Sequence, residues 1–400
     1  MSWRLREFKI NKTAMLKNNK LAIAVIGVAL AVKLFLFVYM SLFAPEGRIL
    51  PDSQDYLNNA SLLAAQGAFA QVIDGNLRYE FFRTPGYAWF LCLFHYWLKI
   101  PLFGIVFLQV LLSIACAWIT YRIAAEIDPP SAFLSGAIVL LSPPITTTAL
   151  LILSDALFLF LLTLFLLFFV CYWKYRKFRL LLLAAFSLVA ATYVRPVTYY
   201  LGFAAAVFIL YTHLQRRDWP RLFLDTGIFL LLVYGLLFIW QLRNYYHTQL
   251  FFFTSIQQEY KTFPNFEAYA LTRFPPGPGG LRFFSYVNEA WHDFFSLMAR
   301  PGTLKYLRSY WLNAACKVFG YPFLIFCWCG FLAGLSKLKA SIIYRFFFLA
   351  ILYFIVLTIG MVAASCGERY QVPIIPFFAL ISASGWIKIK DYFSRRGLIH

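Results

Sequence analysis

Long apolar runs dominate this chain and restrict what it can fold into. A helix needs about 20 consecutive apolar residues to cross the roughly 30 Å hydrocarbon core of a membrane. Runs of about that length, or slightly shorter, occupy residues 21–44, 85–100, 103–121, 132–150, 156–173, 180–194, 197–214, 222–240, 318–335, 346–364 and 372–387. Charged residues make up only 13% of the 400 residues, against about 25% in soluble domains. The sequence therefore predicts a polytopic membrane protein.

Basic clusters between the runs orient the predicted helices, because Lys and Arg accumulate in cytoplasmic loops. Here they accumulate at 4–20, 174–179, 216–221, 337–345 and 388–396. Two cytoplasmic points must be separated by an even number of crossings, yet five runs lie between the first two clusters. The run 85–100 reaches only about 24 Å as a helix and contains Tyr and Trp residues typical of a membrane interface. We expect it to be an interfacial helix on the outer face.

The expected fold is an all-α membrane protein with about ten transmembrane helices and both termini in the cytoplasm. Residues 1–400 form a single transmembrane domain, with 45–102 and 241–317 as its large outer segments. The formal net charge of +19 could indicate a nucleic-acid partner. Because most of this excess falls on the cytoplasmic clusters, it is explained by topology, and we expect no nucleic-acid partner.

Few acidic residues face outward, and Asp52 is one of them. It follows the first run closely, in Pro51-Asp52-Ser53-Gln54-Asp55-Tyr56, and a helical pattern continues to about Ala65. Asp52 could cap that helix through its first-turn amides. It could instead be a general base that takes a proton from an attacking hydroxyl. The spacing alone leaves both interpretations open.

Asp155 lies at the outer end of another run, between Leu153 and Leu157. An ionised carboxylate costs roughly 2.5–3.5 kcal/mol at the centre of a membrane and less at its rim, so this position favours a functional role. The alternative is that Ser154 or Asp155 caps the descending helix, and the sequence does not decide between the two.

Arginines recur beside the ends of the predicted spans. They are Arg83, Arg195, Arg243 and Arg369. A guanidinium at headgroup depth can bind a phosphate through two parallel hydrogen bonds, although single arginines there commonly just extend to the interface. Their recurrence indicates a converging site for an anion. Lys33 is a further charge inside the first run, and it too could extend to the interface.

The order of these pieces resembles the GT-C superfamily of membrane glycosyltransferases, in the branch of the protein O-mannosyltransferases and the bacterial aminoarabinose transferase for lipid A. The motifs are Pro51-Asp52-Ser53-Gln54-Asp55-Tyr56, Arg83-Thr84-Pro85-Gly86-Tyr87, Ser154-Asp155, Arg195-Pro196, Trp240-Gln241-Leu242-Arg243-Asn244, and Glu368-Arg369-Tyr370-Gln371-Val372-Pro373 with Pro376. Many relatives have two adjacent acids in the first outer loop. Here Ser53 follows Asp52, which leaves the part played by Asp55 open.

The resemblance implies a polyprenyl-phosphate sugar donor and inverting transfer to an acceptor hydroxyl on the periplasmic or outer face of the cytoplasmic membrane. Asp52 would be the catalytic base, and Asp155 a second catalytic residue that orients the acceptor or Asp52, or holds a divalent cation if one is used. No metal site is predicted, because the five histidines form no cluster. The donor phosphate would be bound by Arg83, Arg243, Arg369 and Arg195. Other substrate-binding candidates are Asp55, Tyr56, Tyr87, Asn244, Glu368 and Tyr370.

Two other functions fit the same sequence features. A transporter or flippase of lipid-linked sugars would use the arginines to bind phosphate without chemistry, although the chain shows none of the internal repeat common in secondary transporters. A glycan polymerase or ligase would use a diphosphate-linked donor. The acceptor stays open between a membrane lipid, a glycan and a protein.

Overall fold

The chain folds into a bundle of helices, seen in a computed structural model that describes residues 20–73, 76–255, 294, 297–361 and 368–396. The helices are α1 Lys20–Phe43, α2 Pro51–Gln66, α3 Gly86–Leu91, α4 Leu102–Ile127, α5 Ala132–Leu141, α6 Pro143–Ala149, α7 Asp155–Tyr175, α8 Phe178–Val194, α9 Leu201–Arg216, α10 Trp219–Thr248, α11 Tyr310–Gly334, α12 Lys337–Ala340, α13 Ile342–Met361 and α14 Ile375–Arg395. A π-helix over Cys92–Trp97 continues α3. Short 3-10 turns cover Pro45–Arg48, Pro129–Ser131, Pro196–Thr198, Lys305–Leu307 and Glu368–Gln371.

Every apolar run of the sequence coincides with one of these helices, which confirms the helical multi-pass architecture. Six helices are long and apolar enough to cross a membrane, and α5 with α6 forms a bent pair that counts as a seventh. Two further apolar helices, over 178–194 and 342–358, are shorter. The count of about ten crossings and the interfacial position of 85–100 stay predictions. About half of the outer segment 241–317, at 256–293, lies outside the described residues.

A two-stranded hairpin was not predicted and, among the described residues, is the exception to an all-α fold. β1 Ala70–Ile73 pairs antiparallel with β2 Asn76–Tyr79, with Gln71 opposite Arg78 and Val72 opposite Leu77. It follows α2, which ends at Gly67 in the left-handed conformation, φ 66°, where a residue without Cβ is preferred. The hairpin returns the chain toward α2 before α3 begins.

Local sequence explains the break in the fourth predicted run. Pro143 and Pro144 lack backbone N–H groups and cannot continue the preceding helix, so α5 ends and α6 restarts at an angle of 50°. The chain then reaches α7 through a short buried segment in which the N–H of Ile152 donates to the carbonyl of Arg48 at 2.9 Å. This contact fixes the start of α7 against the connection between α1 and α2.

Small residues bring α11 and α14 into close contact. A Cβ placed on Gly385 of α14 would lie 1.9 Å from the carbonyl oxygen of Gly330, and one on Gly334 of α11 would lie 2.2 Å from that of Ile381. Close approach at small residues is the usual way in which membrane helices associate, since no hydrophobic driving force acts between them in lipid. The packing fixes α14, which begins at Ile375, shortly after the Glu368–Gln371 turn.

Candidate active site

Six charged side chains form one continuous network at one end of the helix bundle. In order of contact they are Asp55, Arg83, Asp52, Arg369, Asp155 and Arg195. Acids and arginines alternate along the network, so its formal charge sums to zero. Its members come from five separate segments: α2, the chain before α3, the start of α7, the end of α8, and the Glu368–Gln371 turn.

α2 presents two of the three acids on one face. Asp52 and Asp55 are three residues apart, which places them side by side on a helix. Pro51 is well suited to the first helical position, and the hydroxyl of Ser53 accepts the N–H of Leu50 at 2.9 Å. Ser53 rather than Asp52 therefore satisfies the helix start, and the capping interpretation of Asp52 is not what the structure shows.

Arg83 joins the two acids of α2. Its Nη2 lies 3.0 Å from Oδ1 of Asp52 and 2.7 Å from Oδ2 of Asp55, and its Nε donates to the same Asp55 oxygen at 3.3 Å. The guanidinium carbon lies 4.7 Å from the centre of the Tyr56 ring. The Asp52 and Asp55 side chains are 39% and 45% exposed, so this part of the network opens to solvent.

Arg369 connects α2 to the start of α7. Its Nη1 donates to Oδ2 of Asp52 at 2.6 Å and its Nε to Oδ2 of Asp155 at 2.7 Å. The other Asp155 oxygen accepts from Arg195 Nη1. The Asp155 side chain is completely buried, and the capping alternative fails because Ser154, although it precedes the first residue of α7, makes no side-chain capping hydrogen bond.

The charges of the network stabilise the ionised forms of Asp52, Arg83 and Arg369. Burial by itself raises the pKa of the Asp52 carboxyl, but hydrogen bonds and charges from Arg369 and Arg83 outweigh burial, and the pKa lies below its ordinary value. Burial lowers the pKa values of Arg83 and Arg369, but Tyr56 and the neighbouring carboxylates raise both above the ordinary value. At neutral pH, Asp52 is therefore an anion between two cations.

Aromatic residues pack around the charges. The Tyr56 hydroxyl lies 3.2 Å from the Ser154 hydroxyl, so α2 also contacts the residue before Asp155. The Arg195 guanidinium lies 5.8 Å from the centre of the Tyr370 ring. These two predicted substrate-binding tyrosines thus lie at the network, where stacking on guanidinium groups stabilises them.

Arg243 and Asn244 lie outside the network, at the end of α10. Arg243 donates to the carbonyl oxygens of Glu80 at 2.8 Å and Phe69 at 2.9 Å, and to Oδ1 of Asn244 at 2.9 Å. The Asn244 amide in turn donates to the carbonyls of Phe252 and Phe253. Both side chains hold surrounding loops together, and neither contacts the three acids of the network. The side chain of Glu368 lies outside the described residues.

Comparison with known proteins shows a partial family match and a shared fold. Residues 83–240 match the model of a family described as dolichyl-phosphate-mannose-protein mannosyltransferase. ArnT from Cupriavidus metallidurans, solved bound to undecaprenyl phosphate, is 17% identical with a TM-score of 0.52 over 92% of this chain and 61% of its own. The fold of this chain is similar to that of ArnT. The archaeal oligosaccharyltransferase AglB from Archaeoglobus fulgidus, in complex with an inhibitory peptide and a dolichol-phosphate, is 12% identical with a TM-score of 0.57, over 95% of this chain and 51% of its own.

The match of this chain to these proteins is partial. The family model begins at Arg83 and includes Asp155 and Arg195, whereas Asp52 and Arg369 lie outside it. The chain spans about three fifths of the length of ArnT and about half of that of AglB. No curated protein sequence matches it.

Sequence reasoning missed one acid near the network. Glu80 is only 4% exposed and contacts the chain just before Arg83. The signal that could have found it is an acid between aromatic residues in Tyr79-Glu80-Phe81-Phe82, three residues before a candidate arginine.

Lys33 does not extend to the interface. It is 2% exposed, and its Nζ donates to Thr146 at 2.8 Å and Ser113 at 3.4 Å. The amine therefore connects α1 to α4 and α6.

Within the described part of the chain, no group of three or more His, Cys, Asp and Glu side chains could hold a metal ion.

Tyr87 has a structural position, and a substitution tests it. The side chain is fully buried, and its hydroxyl donates to Oε1 of Gln109 on α4 at 2.6 Å. We expect Tyr87→Phe to lower the free energy of unfolding by about 1–3 kcal/mol, because it leaves a buried acceptor unpaired. Unfolding of the purified variant and the wild type in the same detergent measures the loss. Unchanged stability of the variant would contradict the structural role of the hydroxyl.

Proposed function

We propose that this protein is a GT-C glycosyltransferase, which transfers a sugar from a polyprenyl phosphate to an acceptor hydroxyl with inversion at the anomeric carbon. The observation that carries the proposal is the half-exposed Asp52 carboxylate held between Arg83 and Arg369. ArnT binds undecaprenyl phosphate and AglB binds a dolichol-phosphate in the structures to which this fold is similar. A lipid-linked phosphate is thus the anion that these arginines are best suited to bind.

The arginines can bind the donor phosphodiester. The Arg83 and Arg369 side chains are 13% and 21% exposed, so they are shielded from water but accessible to a ligand. Guanidinium groups bind phosphate oxygens through paired, charge-assisted hydrogen bonds. The leaving phosphate gains negative charge as its bond to the sugar breaks. Arginines already in place would therefore stabilise the transition state more than the ground state.

The reaction is a single displacement. Asp52 removes the proton of the acceptor hydroxyl as the acceptor oxygen forms a bond to the anomeric carbon. The bond between that carbon and the phosphate oxygen breaks, and its electron pair stays on the phosphate. The products are the glycosylated acceptor, a polyprenyl phosphomonoester and a protonated Asp52. Asp155, which is completely buried, positions Arg369 through the 2.7 Å contact.

Donor binding would also turn Asp52 into a better base. In the free protein both Asp52 oxygens accept hydrogen bonds from arginines, and its lowered pKa makes it a weak base. A phosphodiester that recruits Arg83 and Arg369 competes with Asp52 for the same N–H groups. The carboxylate then loses stabilising partners in the same step that brings the sugar into place, and its pKa rises.

This exchange predicts two different pH profiles. The acid limb of kcat/KM reports the free enzyme and that of kcat the substrate complex. Because Arg369 and Arg83 hold the Asp52 pKa below its ordinary value, kcat/KM should stay flat down to about pH 4. The limb of kcat should appear at higher pH, since the base must be deprotonated and its pKa is higher once donor is bound. Coincident limbs in steady-state assays would contradict the exchange.

The length and the charges of α7 support an orientation in the membrane. The helix runs about 30 Å from Asp155 to the basic residues at 174–179. Basic residues favour the cytoplasmic side. We therefore place both termini in the cytoplasm and the network on the extracytoplasmic face of the cytoplasmic membrane.

The proposed function is tested with purified protein in proteoliposomes. Undecaprenyl phosphate carrying mannose or aminoarabinose is supplied with lipid, glycan and peptide acceptors, and the spent lipid is measured by mass spectrometry. Release of undecaprenyl monophosphate that depends on both the protein and an acceptor supports transfer. Movement of intact donor between leaflets without cleavage would support a flippase, and consumption of only diphosphate-linked donors would support a polymerase or ligase.

A further inference from the structure

Glu80 lies directly after β2 and accepts hydrogen bonds on both carboxylate oxygens. Oε1 accepts the backbone N–H of Phe82 at 2.6 Å and that of Arg83 at 3.1 Å. Oε2 accepts the side-chain amides of Asn59, at 3.3 Å, and Gln71. With four donors and 4% exposure, the carboxylate has no free oxygen to offer a substrate, so it is not a base in the reaction.

The four donors connect Arg83 to the helix that carries the acids. Asn59 belongs to α2, one helical turn after Asp55, and Gln71 belongs to β1. The Glu80 carboxylate therefore accepts two backbone N–H groups from residues 82–83 and two side-chain amides, one from α2 and one from the hairpin. Glu80 thus fixes where the Arg83 backbone lies relative to the face of α2 that bears Asp52.

Arg243 holds the same segment from the opposite side. Its Nη1 donates to the Glu80 carbonyl and its Nη2 to the Phe69 carbonyl, and the backbone N–H of Glu80 donates to that same Phe69 oxygen at 3.1 Å. Its guanidinium carbon lies 4.9 Å from the ring centre of Phe81 and 4.6 Å from that of Trp240. Both the backbone and the side chain of Glu80 are therefore immobilised.

We propose that Glu80 is a positioning residue that holds Arg83 in place for the donor phosphate. The inference rests on the proposed function. Only a group that accepts without donating can satisfy four converging donors, and an ionised carboxylate is such a group. A glutamine at this position would turn an NH2 group toward the amides of Asn59 and Gln71. The hydrogen bonds to Asn59 and Gln71 would then break or rearrange. The backbone of Arg83 would move, and the position of its guanidinium would change.

The test is a double-mutant cycle between Glu80→Gln and Arg83→Gln, read as binding of radiolabelled undecaprenyl phosphate to purified full-length protein. We expect Glu80→Gln to raise Kd by about 10-fold, the effect of weakening one charge-assisted hydrogen bond. In the Arg83→Gln background, Glu80→Gln should raise Kd by less than about twofold, because its effect passes through Arg83. Independent, additive losses would overturn the inference, since they would mean that Glu80 acts on general folding.

Two further variants keep the outcome decisive. Glu46→Gln is the matched control: its carboxylate is 79% exposed and pairs with Arg308, and we expect no change in Kd. If Glu80→Gln does not fold, Gln71→Met removes one donor to Oε2 instead and should give a smaller loss that again disappears in the Arg83→Gln background. An equal loss in both backgrounds would overturn the inference.

The same measurements separate this inference from the proposed function. Wild-type protein that binds undecaprenyl phosphate but never releases it from a sugar donor would contradict transfer and leave the cycle valid. Wild-type protein that neither binds the lipid phosphate nor transfers sugar would overturn both. Transfer with a Kd and a kcat/KM that are unchanged in Glu80→Gln would overturn the role of Glu80 alone.

Discussion

Asp52→Asn should abolish sugar transfer while strengthening the binding of the lipid phosphate. A positioned general base contributes about 10²- to 10⁴-fold to the rate, so we expect kcat to fall at least about 100-fold. The amide keeps the shape of the carboxylate but no longer competes as an anion for Arg83 and Arg369, which now contact it at 3.0 and 2.6 Å. The affinity for undecaprenyl phosphate should therefore rise, measured beside turnover in the same preparation.

A variant that binds the lipid phosphate more tightly but turns over more slowly cannot simply be misfolded, because misfolding would weaken both binding and turnover. The Asp52 side chain is 39% exposed, and an exposed ion pair is worth about 1 kcal/mol or less, so unfolding should change little. Asp55→Asn is the matched control, because Asp55 contacts the same Arg83 from the same helix and does not contact Arg369. We expect it to lower kcat less than about tenfold. Near wild-type turnover of the Asp52→Asn variant would show that Asp52 is not the catalytic base.

The sequence predicted the helices well because their cause is local. A run of apolar residues must be helical in a membrane, since no water is present to satisfy the backbone. Each predicted run is a helix in the structure, and the Pro143-Pro144 pair marks the bend. The hairpin at 70–79 was missed because each of its strands has only four residues, too few for a period-two pattern to stand out from the surrounding loop.

The site was only partly predictable, since its contacts join residues far apart in the chain. Arg369 pairs with an acid 317 positions earlier, and no local pattern specifies such a contact. The motifs nevertheless identified all six members of the network. Arg243 was grouped with them because it too lies beside a span end, but its donors bind carbonyl oxygens of the first outer segment. A pattern of charges in the sequence does not distinguish an arginine that pairs with acids from one that binds backbone carbonyls.

The neutrality of the network explains how Asp155 can be fully buried. An ionised carboxylate without partners would be strongly unfavourable there. Arg195 and Arg369 each give it a hydrogen bond, and Arg369 extends this compensation to Asp52. Because the partners come from the end of α8 and from the turn before α14, Asp155 also joins segments that are distant in sequence. Its removal should therefore affect both stability and transfer.

Asp155→Asn should destabilise the protein by about 3–5 kcal/mol, the range for breaking a buried ion pair, and abolish transfer. The loss arises because Arg195, whose side chain is 15% exposed, is left without its anion. Asp155→Asn/Arg195→Gln restores neutrality, so it should recover much of the stability but no activity, because Arg369 still lacks its second anchor. Asp128→Asn is the control, since Asp128 is paired with Lys337 and 13% exposed: it should lose stability and keep transfer. Unfolding in detergent and turnover of the same samples provide the measurements. Equal loss of transfer in Asp128→Asn would show that activity simply follows stability.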